Sequence, residues 1–167
     1  MKKKRRYIGI FIIMILFLLF CVYMIFPMSL GNHISENQAL SAAVIVSHVT
    51  EKGKPDATSE TYEVSPDSQE FEEITALLNT YTYHRNFRSL IPLGNYTMDR
   101  QTTTIILSSE DCCITLTDGG DLTIDKSTGT GTRLYSIGYF GNGKAKQLCG
   151  EIQDILKNCT PTEVIAD

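Results

Sequence analysis

What this chain lacks narrows its chemistry before any motif is sought. Its three histidines, His33, His48 and His84, are too scattered to suggest a shared metal, and no C-x₂-C pair occurs. H-E-x-x-H and G-x-S-x-G are absent too, which removes the commonest metalloprotease and serine-hydrolase signatures. No internal repeat is visible. Positive charge is scarce beyond the first six residues: five of the fifteen Lys and Arg lie there, leaving ten against nineteen Asp and Glu, or −9 for the rest. A surface of that sign is poorly made for neutralising phosphates, which argues against nucleic acid and equally against lying flat on anionic lipid.

Charge is missing altogether from Ile8 to Phe26, nineteen residues that come after Lys2-Lys3-Lys4-Arg5-Arg6. At helical rise this run covers about 28 Å, close to the roughly 30 Å of bilayer hydrocarbon. Tyr7 and Tyr23 stand near its ends, where amphipathic rings favour the headgroup level. Basic residues stay cytoplasmic, so the remainder is expected to face outward from the cell membrane. A cleaved signal peptide would have a shorter apolar stretch, about 7–15 residues. Ser29-Leu30-Gly31 would pass as its cut site. A lipoprotein reading of Cys21 is opposed by Phe20 before it and by the apolar run that continues beyond. The expected layout is a basic head over 1–6, a transmembrane signal anchor over 7–30, a stalk over 31–42, one domain over 43–159 and a flexible tail over 160–167.

Within the domain, Ala43–Val49 and Glu60–Val64 read as strands around a turn at Glu51–Asp56. Ser65-Pro66-Asp67-Ser68 carries helix-start chemistry, and Phe71, Ile74, Leu77, Leu78 and Tyr81 recur at helical spacing. A loop is expected from about His84 to Gln101. Strands are expected next at 103–107, 112–117, 122–124 and 133–140, the middle pair joined by Asp118-Gly119-Gly120-Asp121, strong hairpin chemistry. A last helix is expected over about 144–158, with its stripe at Ala145, Leu148, Cys149, Ile152, Ile155 and Leu156. The fold class is therefore α+β: a transmembrane helix, then one antiparallel sheet of about five to six strands with two helices on one face.

Candidate chemistry is thin. Gly138-Tyr139-Phe140-Gly141-Asn142-Gly143-Lys144 matches a phosphate loop as far as its lysine. Ala145 then stands where the metal-binding hydroxyl belongs, so the segment reads as a turn with a helix starting at Asn142. Asp118, Asp121 and Asp125 lack the closing Glu of a calcium loop. No metal, cofactor or catalytic residue is assigned, and the chain is not expected to be an enzyme. Cys112, Cys113, Cys149 and Cys159 all fall outside the span, where disulfides persist. Alternation turns Cys112 toward the helix face that carries Cys149, which suggests a Cys112–Cys149 bridge and leaves Cys113 to meet Cys159 across opposite faces. Unpaired thiols are the alternative. Tyr83, His84, Arg85, Phe87 and Arg88 mix rings and cations in an acidic domain, a composition that suits a partner surface. Rings that finish the core are the competing reading. The sequons at Asn95 and Asn158 matter only in a eukaryotic secretory pathway.

From the helix capped near Ser65 through Ile137-Gly138-Tyr139-Phe140-Gly141-Asn142 and the final helix, the chain resembles a family of small Firmicute extracytoplasmic domains, lipoproteins or single-span proteins. The resemblance covers residues 40–158, implies an outward α+β domain and brings no activity with it. The expected function is a membrane-anchored binding or regulatory domain contacting another envelope protein. A sensor of a small ligand or cell-wall component is the alternative. An envelope hydrolase would need acid–base groups gathered in one pocket, for example His84 with Glu110 or Asp111.

Overall fold

The computed structural model describes residues 2–28, 30, 34, 38–49, 55–86, 100–126, 133–139 and 141–166. Helix α1 spans Lys2–Ile25, and its Tyr7–Ile25 portion is long and apolar enough to cross a membrane. Strands β1 (Leu40–Val49) and β2 (Pro55–Val64) pair antiparallel over ten residues each. Helix α2 (Gln69–Thr80) starts where Ser68 Oγ accepts the Phe71 amide at 3.2 Å, with Glu70 and Glu72 facing the helix dipole. Strand β3 (Tyr83–Arg85) is short, and β4 (Arg100–Ser108), β5 (Cys112–Thr117), β6 (Asp121–Lys126) and β7 (Arg133–Ile137) form a meander. Helix α3 (Gly143–Leu156) and strand β8 (Glu163–Ala166) complete the chain.

All eight strands join one antiparallel sheet in the order β3-β7-β6-β5-β4-β1-β2-β8. Period-2 alternation sorts its faces. Ile105, Leu107, Ile114, Leu116, Leu122 and Ile124 point into one core, where they meet Phe71, Ile74 and Leu78 of α2 and Leu148 and Ile152 of α3. The opposite face has small and hydroxylated side chains at Ala43, Thr61, Thr104, Thr115 and Thr123, all half-buried. Both helices therefore cover one face, as the sequence indicates. The Asp118–Asp121 turn is a hairpin in which Gly120 takes φ +102°, a left-handed conformation that favours glycine.

The sheet is wider than expected because two strands escape the sequence patterns. Strand β3 falls where a loop is expected: three residues are too few to display alternation, and it exists because β7 lines one edge and Met28 the other. Strand β8 falls in the expected flexible tail. Thr162 anchors it, its amide and hydroxyl reaching the Thr61 carbonyl at 2.8 and 3.0 Å, and Thr61↔Glu163 through Thr58↔Ala166 then pair along β2. The end of the expected anchor and the expected stalk also enter the domain: Leu30 of the first and Ile34 of the second are buried in the core, and β1 already begins at Leu40.

The expected disulfides do not form; all five cysteines are free thiols. Cys112 and Cys149 do share the buried face, but at different ends of it. Cys112 sits at the start of β5 beside Ser109, whereas Cys149 lies within electrostatic reach of Asp118, just past the other end. Sharing a face is not enough for a bridge, which tolerates only roughly 7 Å between Cα atoms. Cys159 lies within electrostatic reach of Glu70 and of Tyr62 on β2, whereas Cys113 is three strands away on β5. Burial, with Asp118 adding to it, pushes the Cys149 thiol up to about 12, and burial raises Cys112 and Cys159 as well. Thiols held protonated are poor nucleophiles. We expect reductant to leave the unfolding temperature unchanged, and alkylation of the denatured, unreduced chain to modify all five cysteines; a shortfall of two would restore a bridge.

Candidate functional site

The concentration of polar and aromatic groups lies where the end of α1 meets β3, β7 and the turn before α3. It begins with a deficiency in α1. The carbonyl of Tyr23 would normally accept the amide four residues on, but that residue is Pro27, which has none. Arg85 fills the gap: its Nη1 donates to Tyr23 O at 2.9 Å, and its guanidinium carbon lies 3.8 Å from the centroid of the Tyr23 ring. A cation there also complements the negative end of the helix dipole. Tyr139 Oη donates to the Ile25 carbonyl, at the end of the helix, at 3.0 Å. The Met28 amide turns away from the helix to Tyr83 O at 2.8 Å, which makes Met28 an added residue on the β3 edge. Met24 is only 4% exposed as a result.

Behind this clamp, Tyr83 is wholly buried and its hydroxyl donates to Leu78 O at 2.8 Å, closing the last turn of α2. His84 points to the other face and stacks on Tyr139, centroids 4.9 Å apart and planes 18° from parallel. Burial lowers the His84 pKa below its usual 6.5, and its Nδ1 is enclosed without a hydrogen bond among the described residues. Asn86 is buried and donates to Asp121 Oδ1 at 3.1 Å. Two clefts open on either side of Gly138 and Tyr139. One, of about 640 Å³, is lined by Tyr81, Lys144, Gln147 and Glu151; the Tyr81 hydroxyl donates to Glu151 Oε2 at 2.9 Å, and burial plus that bond raise Tyr81 to about 12. The other, of about 410 Å³, is lined by His84, Asn86, Asp121, Ser136 and Asn142.

His84, Ser136 and Asp121 stand side by side on one sheet face, because Ser136 pairs with His84 across β3–β7 and with Asp121 across β6–β7. The residue types resemble a hydrolase triad, but their order is wrong for one. A relay needs the imidazole between hydroxyl and carboxylate. Here the serine is in the middle, and two strand spacings, about 9.5 Å, keep Asp121 from orienting His84. Glu110 and Asp111 do not join His84 either: they lie in the turn between β4 and β5, where Asp111 Oδ2 accepts from Gln38 at 3.0 Å.

No protein family, curated protein or solved structure matches this chain.

The ring-and-cation cluster seen in the sequence is thus divided. Tyr83 finishes the core, Arg85 is engaged with α1, and of the three only His84 borders a cleft; Phe87 and Arg88 lie outside the described residues. Tyr139 is the residue that sequence reasoning missed. A tyrosine beside two glycines reads as a turn, and nothing in the local pattern marks it as a partner of Ile25, 114 positions away.

Two outcomes are expected. Arg85→Ala should destabilise the folded chain in micelles by about 1–2 kcal/mol, the scale of a charged hydrogen bond, with Lys unable to restore the stack on Tyr23; equal denaturant midpoints for the two proteins would contradict it. His84 has a folded pKa below its unfolded value, so its stabilisation is present above pH 6.5 and is lost as pH falls toward the lowered value, where the folded state also takes up the proton. His84→Asn should therefore flatten the acid side of the stability profile by no more than one bound proton, which parallel unfolding curves at pH 7 and pH 5 will reveal.

Proposed function

We propose that this chain is a membrane-anchored extracytoplasmic binding domain, with α1 retained as an uncleaved, N-inside anchor in the cell membrane. The observation that carries the reading is the way the end of α1 is built into the domain. Arg85 and Tyr139 complete its carbonyls, Met28 extends β3, and Leu30 and Ile34 are core residues. Cleavage at Ser29-Leu30-Gly31 would remove Tyr23, Ile25 and Met28 from the fold and leave Arg85, Tyr139 and the β3 edge without these contacts. A retained anchor explains why the domain commits side chains to a helix that a secreted form would discard.

Binding is favoured over catalysis because the polar groups at the site are arranged as a lining and not as a relay. The two clefts flanking Tyr139 suit a small polar ligand or wall component, since they offer an amide, carboxylates, a lysine and aromatic rings in concave surroundings. This moves the emphasis from a protein partner toward a ligand sensor, because Tyr83 and Arg85 are already occupied. A second reading, a protein partner, is favoured by β8. It is the last strand of its edge, and Val164 and Ile165 on it are 61% and 49% exposed, a ready template for strand addition.

Thermal shift of the full chain in nanodiscs, against wall fragments, sugars and amino acids, tests the ligand reading. We expect a stabilising compound whose effect disappears with Glu151→Ala or Asn142→Ala. Shifts that persist in both variants would move the site elsewhere. A panel without any shift, together with a crosslinked envelope protein lost on Val164→Asp, would favour the protein-partner reading.

A further inference from the structure

We infer that Tyr139 is a second membrane contact, an interfacial anchor that seats the β3–β7 end of the domain on the outer leaflet. The inference rests on α1 spanning the bilayer, and depth follows from geometry. The nineteen residues Tyr7–Ile25 match the hydrocarbon thickness to within a few ångströms, so the Ile25 carbonyl lies at the boundary between chains and headgroups. Tyr139 Oη is 3.0 Å from that carbonyl, and its ring must lie at the same level. Exposure agrees. Among the described residues beyond α1 and Phe26, the large apolar or aromatic side chains that are exposed are Tyr139, Val164 and Ile165, and the last two are on β8 at the opposite edge of the sheet. A tyrosine 44% exposed, with one ring face on His84 and its hydroxyl bound to a peptide carbonyl, has the form of residues that sit in the headgroup layer.

Neighbouring groups fit the same level. Tyr23 lies two residues before Ile25 on α1, and the Arg85 guanidinium held over its ring is a cation of the kind found at that level. The net charge of the domain does not oppose this contact, because an inserted ring needs no anionic lipid. The acidic surface instead keeps the rest of the domain from settling onto the leaflet. The domain is therefore held by one end, with β8 and its exposed Val164 and Ile165 farthest from Tyr139 in the sheet order.

The chain has no tryptophan, so a single substitution gives a unique fluorophore. Tyr139→Trp, Tyr23→Trp and Val164→Trp would each be made in the full chain, in phosphatidylcholine vesicles containing lipid brominated either near the headgroup or near the chain ends. We expect the first two to emit at shorter wavelength than the third and to be quenched most by the shallow bromines, while Val164→Trp keeps its emission. If Tyr23→Trp is quenched and Tyr139→Trp behaves like Val164→Trp, the anchor stands and the inference falls. If Tyr23→Trp itself escapes quenching, α1 is not inserted and the reading of the anchor fails first, carrying the inference with it. Should Tyr139→Trp not fold, the unmodified chain in nanodiscs with nitroxide at the headgroup decides: broadening of the Tyr139 ring resonances supports the contact, and sharp ones overturn it.

Discussion

A proline two residues past the end of a helix governs how the two halves of this molecule are joined. Pro27 denies the Tyr23 carbonyl its helical donor, and a bare carbonyl in an apolar setting costs on the order of 1–3 kcal/mol. The domain supplies the donor from Arg85, and in doing so fixes which end of the sheet faces α1. Arg85 and Tyr83, two residues apart, share one face of β3, so Tyr83 is turned into the core and His84 between them to the opposite face. Tyr83 then closes α2, Met28 gains an edge to lie along, and the short β3 has a reason to exist. The junction is a folded element and not a tether.

Sequence patterns make the centre of the fold legible and leave its margins obscure. Strands β4, β5 and β6, the Asp118–Asp121 hairpin and both amphipathic helices follow from alternation, turn residues and capping, which are local signals. Their positions agree with the structure to within a few residues. Strands β3 and β8 do not announce themselves because each forms in response to an edge elsewhere, Met28 and β7 in one case and β2 in the other. Leu30 and Ile34 escape notice for a related reason: each is an isolated apolar residue among polar or small neighbours, and only the finished core gives it a place.

The site shows the same division. Composition draws attention to residues 83–88, and the structure indeed places chemistry there, but it distributes Tyr83, His84 and Arg85 among three different tasks. Cys112 and Cys149 share a face without being joined. Alternation correctly turns Cys112 and Cys149 toward the same core, and it contains no information on how far along a strand a helix residue will land. Tyr139 is invisible in the sequence because its importance lies wholly in a contact with the other end of the chain.

The two edges of the sheet are completed by opposite ends of the polypeptide. Met28, just after the helix, lies along β3, and the final strand lies along β2. For a chain synthesised from its N-terminus, this sets an order of assembly. The first edge piece is made before the rest of the sheet, and the second only after α3. Until then β2 has one side bare. A chain cut before β8 would retain every helix and most of its core, yet would present an open β2 edge to its neighbours.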